Sequence, residues 1–329
     1  MSDSENIQLQ ATVTEQLDMQ RLDKVAASLF DQYSRSRIQL WIKQGELTVN
    51  GKVLKPKEKV EHGQLLVINA KPEVVLKDEP AQAIELDIVF EDDSIIVLNK
   101  PAGLVVHPAA GHQDSTLLNG LLYHCPQLEQ LPRAGIVHRL DKDTTGLMVV
   151  AKTLEAHHSL VAQLQARSVS RQYYAIVQGV VTAGSTVEKN IGRHASHRQK
   201  QAVVEFGGKE AITHYRVIDK CRAHTLVRCQ LETGRTHQIR VHMSYVRFPL
   251  IGDKLYGGRP KLPKSATPEL VRALQEFPRQ ALHAFKLGLL HPEDGEYCEW
   301  EIDMAPDMQT LLAEMKEDTR IFTEENKPV

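Results

Sequence analysis

The sequence has few cysteines and no long apolar run, and each shortage excludes a class of protein. Its 329 residues include four scattered cysteines, none in a C-x-x-C pair, which disfavours disulfide frameworks and thiolate zinc sites. No segment approaches the roughly 18 consecutive apolar residues of a membrane span. The polar start, MSDSENIQLQ, lacks the apolar core of a signal peptide. These shortages predict a cytoplasmic protein without a membrane partner.

Motifs for nucleotide cofactors are absent as well. The sequence has no G-x-G-x-x-G, no P-loop and no regular alternation of strands and helices. From residue 86 to 303, short strand-like runs dominate instead: IVFEDDSIIVLNKPAGLVVHP, TGLMVVAKT, YYAIVQGVV, HTLVRCQLETG and HQIRVHM. Three helical segments interrupt them: TLLNGLLYHC, TLEAHHSLVAQLQAR and PELVRALQEF. This mixture predicts an α+β domain with a mixed, mainly antiparallel sheet.

Charge is distributed unevenly along the chain. The net charge is only −2, yet residues 19–60 contain nine Lys or Arg and four Asp or Glu. Residues 293–329 contain twelve Asp or Glu and three Lys or Arg. A basic front segment and an acidic end cancel in the total, so the small net charge does not exclude a nucleic-acid partner.

The front segment has the pattern of two helices and a hairpin. The apolar spacing in RLDKVAASLF is that of an amphipathic helix. A second helix, RSRIQLWIKQ, is predicted with Ser34 as its N-cap and Gly45 at its end. The run LTVNGKVL contains Asn50-Gly51, a strong signal for a two-residue hairpin. We therefore predict a front module over residues 15–75, a linker over 76–85, a main domain over 86–305 and an acidic tail over 306–329. In the tail, a short helix, MQTLLAEMKED, is expected to be followed by disorder.

The segment HRLDKDTTG places a carboxylate among cations. Asp141 lies between Arg139 and Lys142, and Asp143 follows two residues later. A magnesium site is disfavoured because the two cations crowd the position, and no metal site is predicted. A glycosidase pair is disfavoured because its carboxylates lie on opposite sides of the scissile bond. Asp143 fits a polar turn that ends at Gly146, whereas Asp141 precedes that turn. One reading remains for Asp141, a single nucleophile or base.

A carboxylate that reacts beneath a covering base must stay ionised, and a fixed arginine favours the ionised form. The segment LETGRTHQIRVHM supplies candidates, and its alternation predicts a strand. On a strand, His237 and Arg240 would face opposite sides. His237 and His242 would also diverge, which argues against a zinc site.

Two resemblances follow from these segments. RLDKVAASLF with SRSRIQLWIKQGELTVNGK resembles the S4-type RNA-binding module, an αα-hairpin with a basic hairpin. GIVHRLDKDTTGLMVVAK, RQYYAIVQG, LETGRTHQIRVHM, PLIGDKLYGG and RQALHA are similar, in order, to the motifs of the RluA family of pseudouridine synthases. The likeness extends from about residue 10 to 305. It implies an S4-like module followed by a pseudouridine synthase domain that needs no cofactor.

The second resemblance also implies roles for individual residues. Asp141 corresponds to the catalytic aspartate and Arg240 to its arginine partner. Tyr173 corresponds to the tyrosine that stacks on the target base and assists removal of the C5 proton, although the tandem Tyr173-Tyr174 leaves open which ring faces the site. The remaining base contacts are then Arg139 and Ile239. The phosphate contacts of the S4-like module are Arg21, Arg35, Arg37, Lys43, Lys52 and Lys55.

The same likeness implies a substrate. We expect uridines in the helix 69 stem-loop of 23S rRNA, within the large ribosomal subunit precursor, to be converted to pseudouridine. The alternatives are the same chemistry on another rRNA or tRNA site, a nucleoside hydrolase, or a non-catalytic S4-type RNA-binding or ribosome-assembly protein. A monomer is predicted because the sequence has no coiled-coil period.

Overall fold

The structure is a computed structural model that describes residues 7–31, 33, 35–70, 80–108, 114–197 and 199–327, without the side chains of residues 35 and 36. The chain divides into two compact units, Met1–Asp78 and Glu79–Val329. Within the described residues, no helix is both long and apolar enough to cross a lipid bilayer.

The first unit packs two helices on a small antiparallel sheet. Its elements are β1 (Ile7–Thr12), β2 (Gln20–Arg21), α1 (Leu22–Leu29), α2 (Arg35–Gln44), β3 (Leu47–Val49), β4 (Lys59–Val60) and β5 (Leu65–Ala70). The central strand β5 pairs with β1 and β3, while β2 pairs with β4. The apolar faces of both helices are buried, with Trp41 at 1% exposure. Burial of these faces stabilises helices that are too short to persist alone in water.

The helices of this unit confirm the prediction, but the hairpin differs from it. Gly45 has a φ of 78° and ends α2 as expected. Asn50 and Gly51 both have positive φ, and a bridge between Val49 and Lys52 closes their turn. The residues after the turn form no second arm, because β3 pairs with β5 instead. The predicted N-cap, Ser34, lies outside the described residues.

The second unit is built on a nine-stranded sheet. Its elements are β6 (Ile88–Glu91), β7 (Ile95–Lys100), α3 (Leu117–His124), β8 (Thr145–Ala151), α4 (Leu154–Gln165), β9 (Ser170–Gln178), β10 (Ser185–Glu188), β11 (Ile191–Arg193), β12 (Gln201–Val203), β13 (Ile212–Lys220), β14 (His224–Leu231), α5 (Gln238–Tyr245), α6 (Pro268–Glu276), β15 (Leu282–Leu290), β16 (Tyr297–Glu301) and α7 (Pro306–Glu325). The sheet runs β10-β13-β14-β9-β15-β8-β7-β6, with β16 beside β15, and β11 and β12 form a separate ribbon.

Only one strand pair of this sheet, β8 with β15, is parallel. A glycine is required there: Gly146 has a φ of 113°, and a Cβ at this position would overlap the backbone of Ala284. The other pairs are antiparallel. The predicted α+β fold with a mixed, mainly antiparallel sheet is therefore confirmed.

The segment HQIRVHM was predicted as a strand, and this prediction is wrong. Residues 238–245 form the helix α5, preceded by His237 in the left-handed conformation with a φ of 59°. Gln238 anchors its start, because its Oε1 accepts from the Arg235 amide at 3.0 Å and from the Thr233 hydroxyl at 2.8 Å. Residues 238–243 are all buried. A helix that is buried on every side shows no 3.6-residue period, so the sequence alternation was misleading.

The helix predicted in the acidic tail is present, but the disorder predicted after it is wrong. The helix α7 continues to Glu325 and buries Met308, Leu311 and Met315 against α6 and the sheet. Asp318 of α7 is 1% exposed and accepts from Arg222 Nε at 2.7 Å. Several acidic residues near the end of the chain are thus ion-pair partners of the second unit.

Shortening Leu311 should test whether α7 is part of the folded unit. Leu311→Ala removes a side chain that is 1% exposed and should lower the free energy of unfolding by about 2–5 kcal/mol. Leu154→Ala is the matched control, since Leu154 is 44% exposed at the start of α4. Urea denaturation followed by circular dichroism measures both. Equal stability of the two variants would contradict the packing of α7.

Candidate active site

A cavity of about 840 Å³ lies between the loop before β8, strand β9 and helix α5. Among the residues that line it are all five that the sequence assigned to the base-binding site: Arg139, Asp141, Tyr173, Ile239 and Arg240. Three distant segments of the chain therefore converge on one cavity. Their convergence makes this the candidate active site.

The turn that carries Asp141 is held by a buried lysine. The turn itself is closed by a hydrogen bond from the Thr144 amide to the Asp141 carbonyl at 3.0 Å. Lys100 Nζ donates to the carbonyls of Lys142, Pro101 and Leu104 at 2.7–2.9 Å. Burial lowers the pKa of Lys100 to about 7. The nearby carboxylates oppose this shift, Asp143 more strongly than Asp141. An ammonium has three donors, so three carbonyls satisfy it fully.

A buried arginine and glutamine fix the same turn from the other side. Arg279 Nη1 donates to the Asp143 carbonyl at 3.2 Å, and Gln280 Nε2 donates to the Thr144 hydroxyl at 3.0 Å. The other guanidinium nitrogens of Arg279, Nε and Nη2, donate to Asp307 at 2.6 and 2.7 Å. Because Asp307 lies in the first turn of α7, this helix is connected to the turn that carries Asp141.

Arg240 lies between two aspartates. Its Nη1 donates to Asp141 Oδ2 at 2.9 Å, which is the pairing expected from the sequence. Its Nε and Nη2 donate to Asp253 at 2.7 and 2.9 Å in a two-pronged contact. The aspartates raise the pKa of Arg240 further, against the effect of burial. The guanidinium is therefore permanently charged, and its contact holds the Asp141 carboxylate in place.

Asp253 was not identified from the sequence as a site residue. Its side chain is fully buried, and Oδ1 also accepts from the amides of Leu255 and Tyr256 at 3.0 and 3.1 Å. The only sequence signal is an acid that directly follows an apolar run in PLIGDKLYGG. A charge in such a place needs a buried partner, but the sequence does not show which cation supplies it.

His237 completes the polar wall around Asp141. Its Nε2 lies 3.8 Å from Asp141 Oδ1, and its Nδ1 is 2.8 Å from the Tyr256 hydroxyl. Burial lowers the pKa of His237, so the ring is mainly neutral at neutral pH. The prediction that His237 and Arg240 face opposite sides is wrong, because residues three apart on a helical turn share a face. His242 points elsewhere, with Nδ1 2.9 Å from the Thr213 hydroxyl.

The structure distinguishes the two tandem tyrosines. Tyr173 is 6% exposed and lines the cavity. Tyr174 points to the opposite face of the sheet, where it stacks on Phe285 at a centroid distance of 3.8 Å. Burial raises the pKa of Tyr173, which is therefore a neutral phenol at neutral pH.

Arg139 is exposed at the cavity and has no hydrogen bond or ion pair to the described residues. Its neighbour His138 fixes the local backbone, because Nε2 accepts from the Val149 amide at 3.1 Å. Burial lowers the pKa of His138 to about 3, which keeps the ring neutral for this role. Ile239 is 3% exposed and supplies an apolar part of the cavity wall. A rigid segment thus presents a cation that is available to a substrate.

The basic residues predicted for the first unit differ in their surroundings. Arg21 donates two hydrogen bonds to Asp23, at 2.9 and 3.0 Å, so its charge is partly neutralised. Arg37 lies over the Trp41 ring at 5.3 Å. The side chain of Arg35 lies outside the described residues. The remaining lysines are exposed: Lys43, Lys52 and Lys55.

The described residues include no group of three or more His, Cys, Asp or Glu side chains that is arranged to hold a metal ion. The charged group in direct contact with Asp141 is a cation, Arg240. The chemistry available from these residues is that of a single carboxylate, fixed beside an aromatic ring, that acts as nucleophile or base.

Comparison with known families matches both units. Residues 20–66 match the S4 domain, and residues 94–245 match the RNA pseudouridylate synthase family. The chain is 59% identical to a Pseudomonas aeruginosa protein named ribosomal large subunit pseudouridine synthase D, over 97% of this chain and 99% of the relative. The protein of that name from Escherichia coli K12 is 52% identical over 96% of both chains.

A solved structure has a similar fold. The human protein RNA pseudouridylate synthase domain containing 4 superimposes with a TM-score of 0.55 at 25% sequence identity. The match covers 70% of this chain and 93% of the human one. The predicted succession of an S4 domain and a pseudouridine synthase domain is confirmed by these matches.

Removal of Arg240 should show that it joins a buried carboxylate, Asp253, to the partly buried Asp141. Arg240→Ala leaves the Asp253 carboxylate buried without its cation, and should lower the free energy of unfolding by about 3–5 kcal/mol. Arg320→Ala is the matched control, because Arg320 also bridges two carboxylates, Glu317 and Glu324, but on the exposed face of α7. Surface pairs of this kind contribute little. Chemical denaturation that gave both variants the same stability would contradict the buried bridge.

Proposed function

Because the chain belongs to the RNA pseudouridylate synthase family, we propose that it isomerises uridines in the helix 69 stem-loop of 23S rRNA and that Asp141 is the reacting carboxylate. Its relatives, at 52–59% identity over nearly the full chain, make it an rRNA pseudouridine synthase. The observation that carries the assignment of Asp141 is its contact with Arg240, inside a cavity that Tyr173 also lines.

The reaction rearranges one nucleoside without an external reagent. The N1–C1′ bond of uridine breaks, the uracil rotates, and C5 forms a new bond to C1′. The proton lost from C5 is balanced by the proton gained at N1, so the product is an isomer of the substrate. No oxidant, reductant or group donor enters this balance, and we propose that the enzyme works without a cofactor.

Asp141 suits this rearrangement because it lines the cavity and Arg240 engages only one of its two carboxylate oxygens. Oδ2 accepts from Arg240, whereas Oδ1 has His237 Nε2 at 3.8 Å as its nearest ion-pair neighbour. Three routes use such an oxygen: attack on C1′, attack on C6 of the ring, or removal of the C2′ proton to give a glycal. Each route needs an ionised carboxylate at the junction of sugar and base, which Arg240 supports.

The target uridine must leave its base stack to reach the cavity, at a cost of a few kcal/mol. Stacking on Tyr173 offsets part of this cost, since a base on an aromatic ring is worth about 1–3 kcal/mol. Arg139 is placed to fill the gap that the flipped base leaves in the RNA. Its exposure and its lack of a partner among the described residues favour this role.

Tyr173 is better suited to stacking than to proton removal. Its pKa is raised chiefly by burial, with Asp141 also contributing, while the nearby Arg171 acts in the opposite direction. A neutral phenol does not readily accept the C5 proton at neutral pH. We therefore propose that Tyr173 orients the ring.

The first unit is proposed to supply affinity for the RNA. Exposed lysines at and after the Asn50-Gly51 turn can contact phosphates, which determine affinity and register more than sequence choice. The partner is then 23S rRNA within the precursor of the large ribosomal subunit. We further propose that the enzyme acts as a monomer in the cytoplasm.

Exchange of each of the two neighbouring aspartates should separate their roles. Asp141→Asn keeps the size of the side chain but removes the charge, so it should fold, bind RNA and form no measurable pseudouridine. Asp143→Asn is the control, because Asp143 contributes its backbone carbonyl to the Arg279 contact, and it should retain most of the activity. Tritium release from C5-labelled RNA measures turnover, and gel shift measures binding.

Turnover by Asp141→Asn would contradict the assignment of the reacting carboxylate. If the wild-type protein released free uracil from the labelled RNA, it would instead be a hydrolase, which chromatography of the products detects. If Asp141→Asn and wild type both bound RNA without any product, the protein would be a binding or assembly factor.

The choice of helix 69 can be tested in cells. In a strain that lacks this protein, uridines in the helix 69 stem-loop should remain unmodified, while other pseudouridines of 23S rRNA persist. Reverse transcription after carbodiimide treatment maps these positions. Complementation with Asp143→Asn should restore the modification, and complementation with Asp141→Asn should not. An unchanged helix 69 together with the loss of pseudouridine elsewhere would assign the enzyme to another RNA site.

A further inference from the structure

A second arginine of the cavity lacks the carboxylate partner that buried arginines usually have. Arg171 precedes Tyr173 by two residues on β9, so both side chains lie on the same face of the sheet. It lines the cavity and is only 6% exposed. Within the described residues, its one hydrogen bond runs from Nη2 to the Glu232 carbonyl at 3.2 Å, and Nε has no partner.

The side-chain carboxylate of Glu232 does not contact Arg171, because it has other partners. Glu232 Oε1 is 2.7 Å from His214 Nε2, and Oε2 is 3.6 Å from Arg167 Nη1. Burial lowers the pKa of Arg171, and the charge of Arg235 acts in the same direction. The guanidinium is therefore a buried cation with a cationic neighbour and no anion in contact, which is an unfavourable state for a folded protein.

The fold nevertheless makes room for this side chain. Gly234 lies opposite it, and a Cβ on Gly234 would lie 2.7 Å from Arg171 Nη1. The φ of Gly234 is not in the left-handed region, so backbone conformation does not require a glycine there. The small residue leaves the guanidinium its space in the cavity wall. An arginine kept without a partner, in a space left clear for it, indicates a site for an anion that arrives with the substrate.

We propose that Arg171 binds an oxyanion of the RNA substrate beside the ring of Tyr173. A planar guanidinium fork fits two oxygens of one anionic group. Successive residues of a strand rise about 3.3 Å, so Arg171 lies roughly 7 Å along the strand from Tyr173, within reach of the nucleotide that stacks there. This inference rests on the proposed function and adds a substrate-binding residue to the same site.

Two parts of the substrate have the required chemistry. One is a backbone phosphate of the flipped nucleotide, which is anionic throughout the reaction. The other is the uracil itself: when N1–C1′ breaks, the bonding pair stays on N1, and the ring carries a negative charge over its oxygens. The phosphate would be bound in the ground state, whereas the ring becomes anionic only during the reaction.

Arg171→Met tests the proposal, because it keeps the apolar volume and removes the charge. Because no carboxylate is left unpaired and only one weak contact, to the Glu232 carbonyl at 3.2 Å, is lost, the variant should melt at a temperature equal to or above that of the wild type. Its kcat/KM on a helix 69 RNA should fall by about tenfold or more, and Arg171→Lys should fall less. The matched control is Arg222→Met, since the partly buried Arg222 has a buried carboxylate partner, Asp318. That variant should melt lower and keep its turnover per folded molecule.

An RNA with methylphosphonates at the two phosphates beside the target uridine identifies the source of the anion. If a phosphate binds Arg171, the wild-type kcat/KM should fall on this RNA by the same factor that Arg171→Met costs on the unmodified RNA, mainly through KM. The kcat/KM of Arg171→Met should not fall further on this RNA. If the uracil anion binds Arg171, the ratio of the wild-type kcat/KM to that of Arg171→Met should be unchanged on this RNA. The loss in Arg171→Met should then be in kcat.

Wild-type kcat/KM in Arg171→Met on the unmodified RNA would overturn the proposal. A melting temperature that falls as far as that of Arg222→Met would also overturn it, because it would reveal a structural partner. Absence of pseudouridine with the wild-type protein, in this RNA and in whole 23S rRNA, would instead defeat the proposed function itself.

Discussion

The bridge from Asp253 through Arg240 to Asp141 is the interaction on which the rest of the site depends. A guanidinium carries five donors in a fixed plane, so it can serve two carboxylates at once, which an ammonium cannot do with the same geometry. Asp253 is fully buried and takes two of the donors. Asp141 takes one donor and its side chain is 16% exposed, so its position is fixed while it remains accessible. The buried aspartate thus fixes the arginine, and the arginine fixes the Asp141 carboxylate.

Much of the fold could be predicted because its strands are short, apolar and bounded by turns. The strands around IVLNK, TGLMVVA and HTLVRCQL are present where the sequence placed them. Prediction failed for α5, where burial on every side removes the helical period and leaves an accidental alternation. It failed again at α7, whose many acidic residues were read as a solvated tail. Two of these acids are partners of arginines far away in the sequence, Asp307 with Arg279 and Asp318 with Arg222. Composition does not show such long-range pairs.

The site was predictable where residues fall within motifs and not where a buried partner lies outside them. The motif segments supplied Asp141, Arg240 and Tyr173, and the structure brings all three to one cavity. Tyr174 lies on the face of the sheet away from the cavity because of the register of β9, which no single sequence segment reveals. Asp253 and Arg171 were both within quoted segments but had no assigned role. For such residues, the informative property is the presence or absence of a buried partner, and only three-dimensional contacts show it.

The turn that carries Asp141 is local in sequence, whereas its supports are dispersed along the chain. Arg279 follows Asp143 by 136 residues and is itself held by Asp307. Ribosomes add about 5–20 residues each second, so a nascent chain contains Asp141 for many seconds before the last support of its turn is made. Contacts between residues this far apart also form slowly during folding. The unit that matches the S4 domain is therefore synthesised first, and the turn that carries Asp141 gains its last support only after α7 has been made.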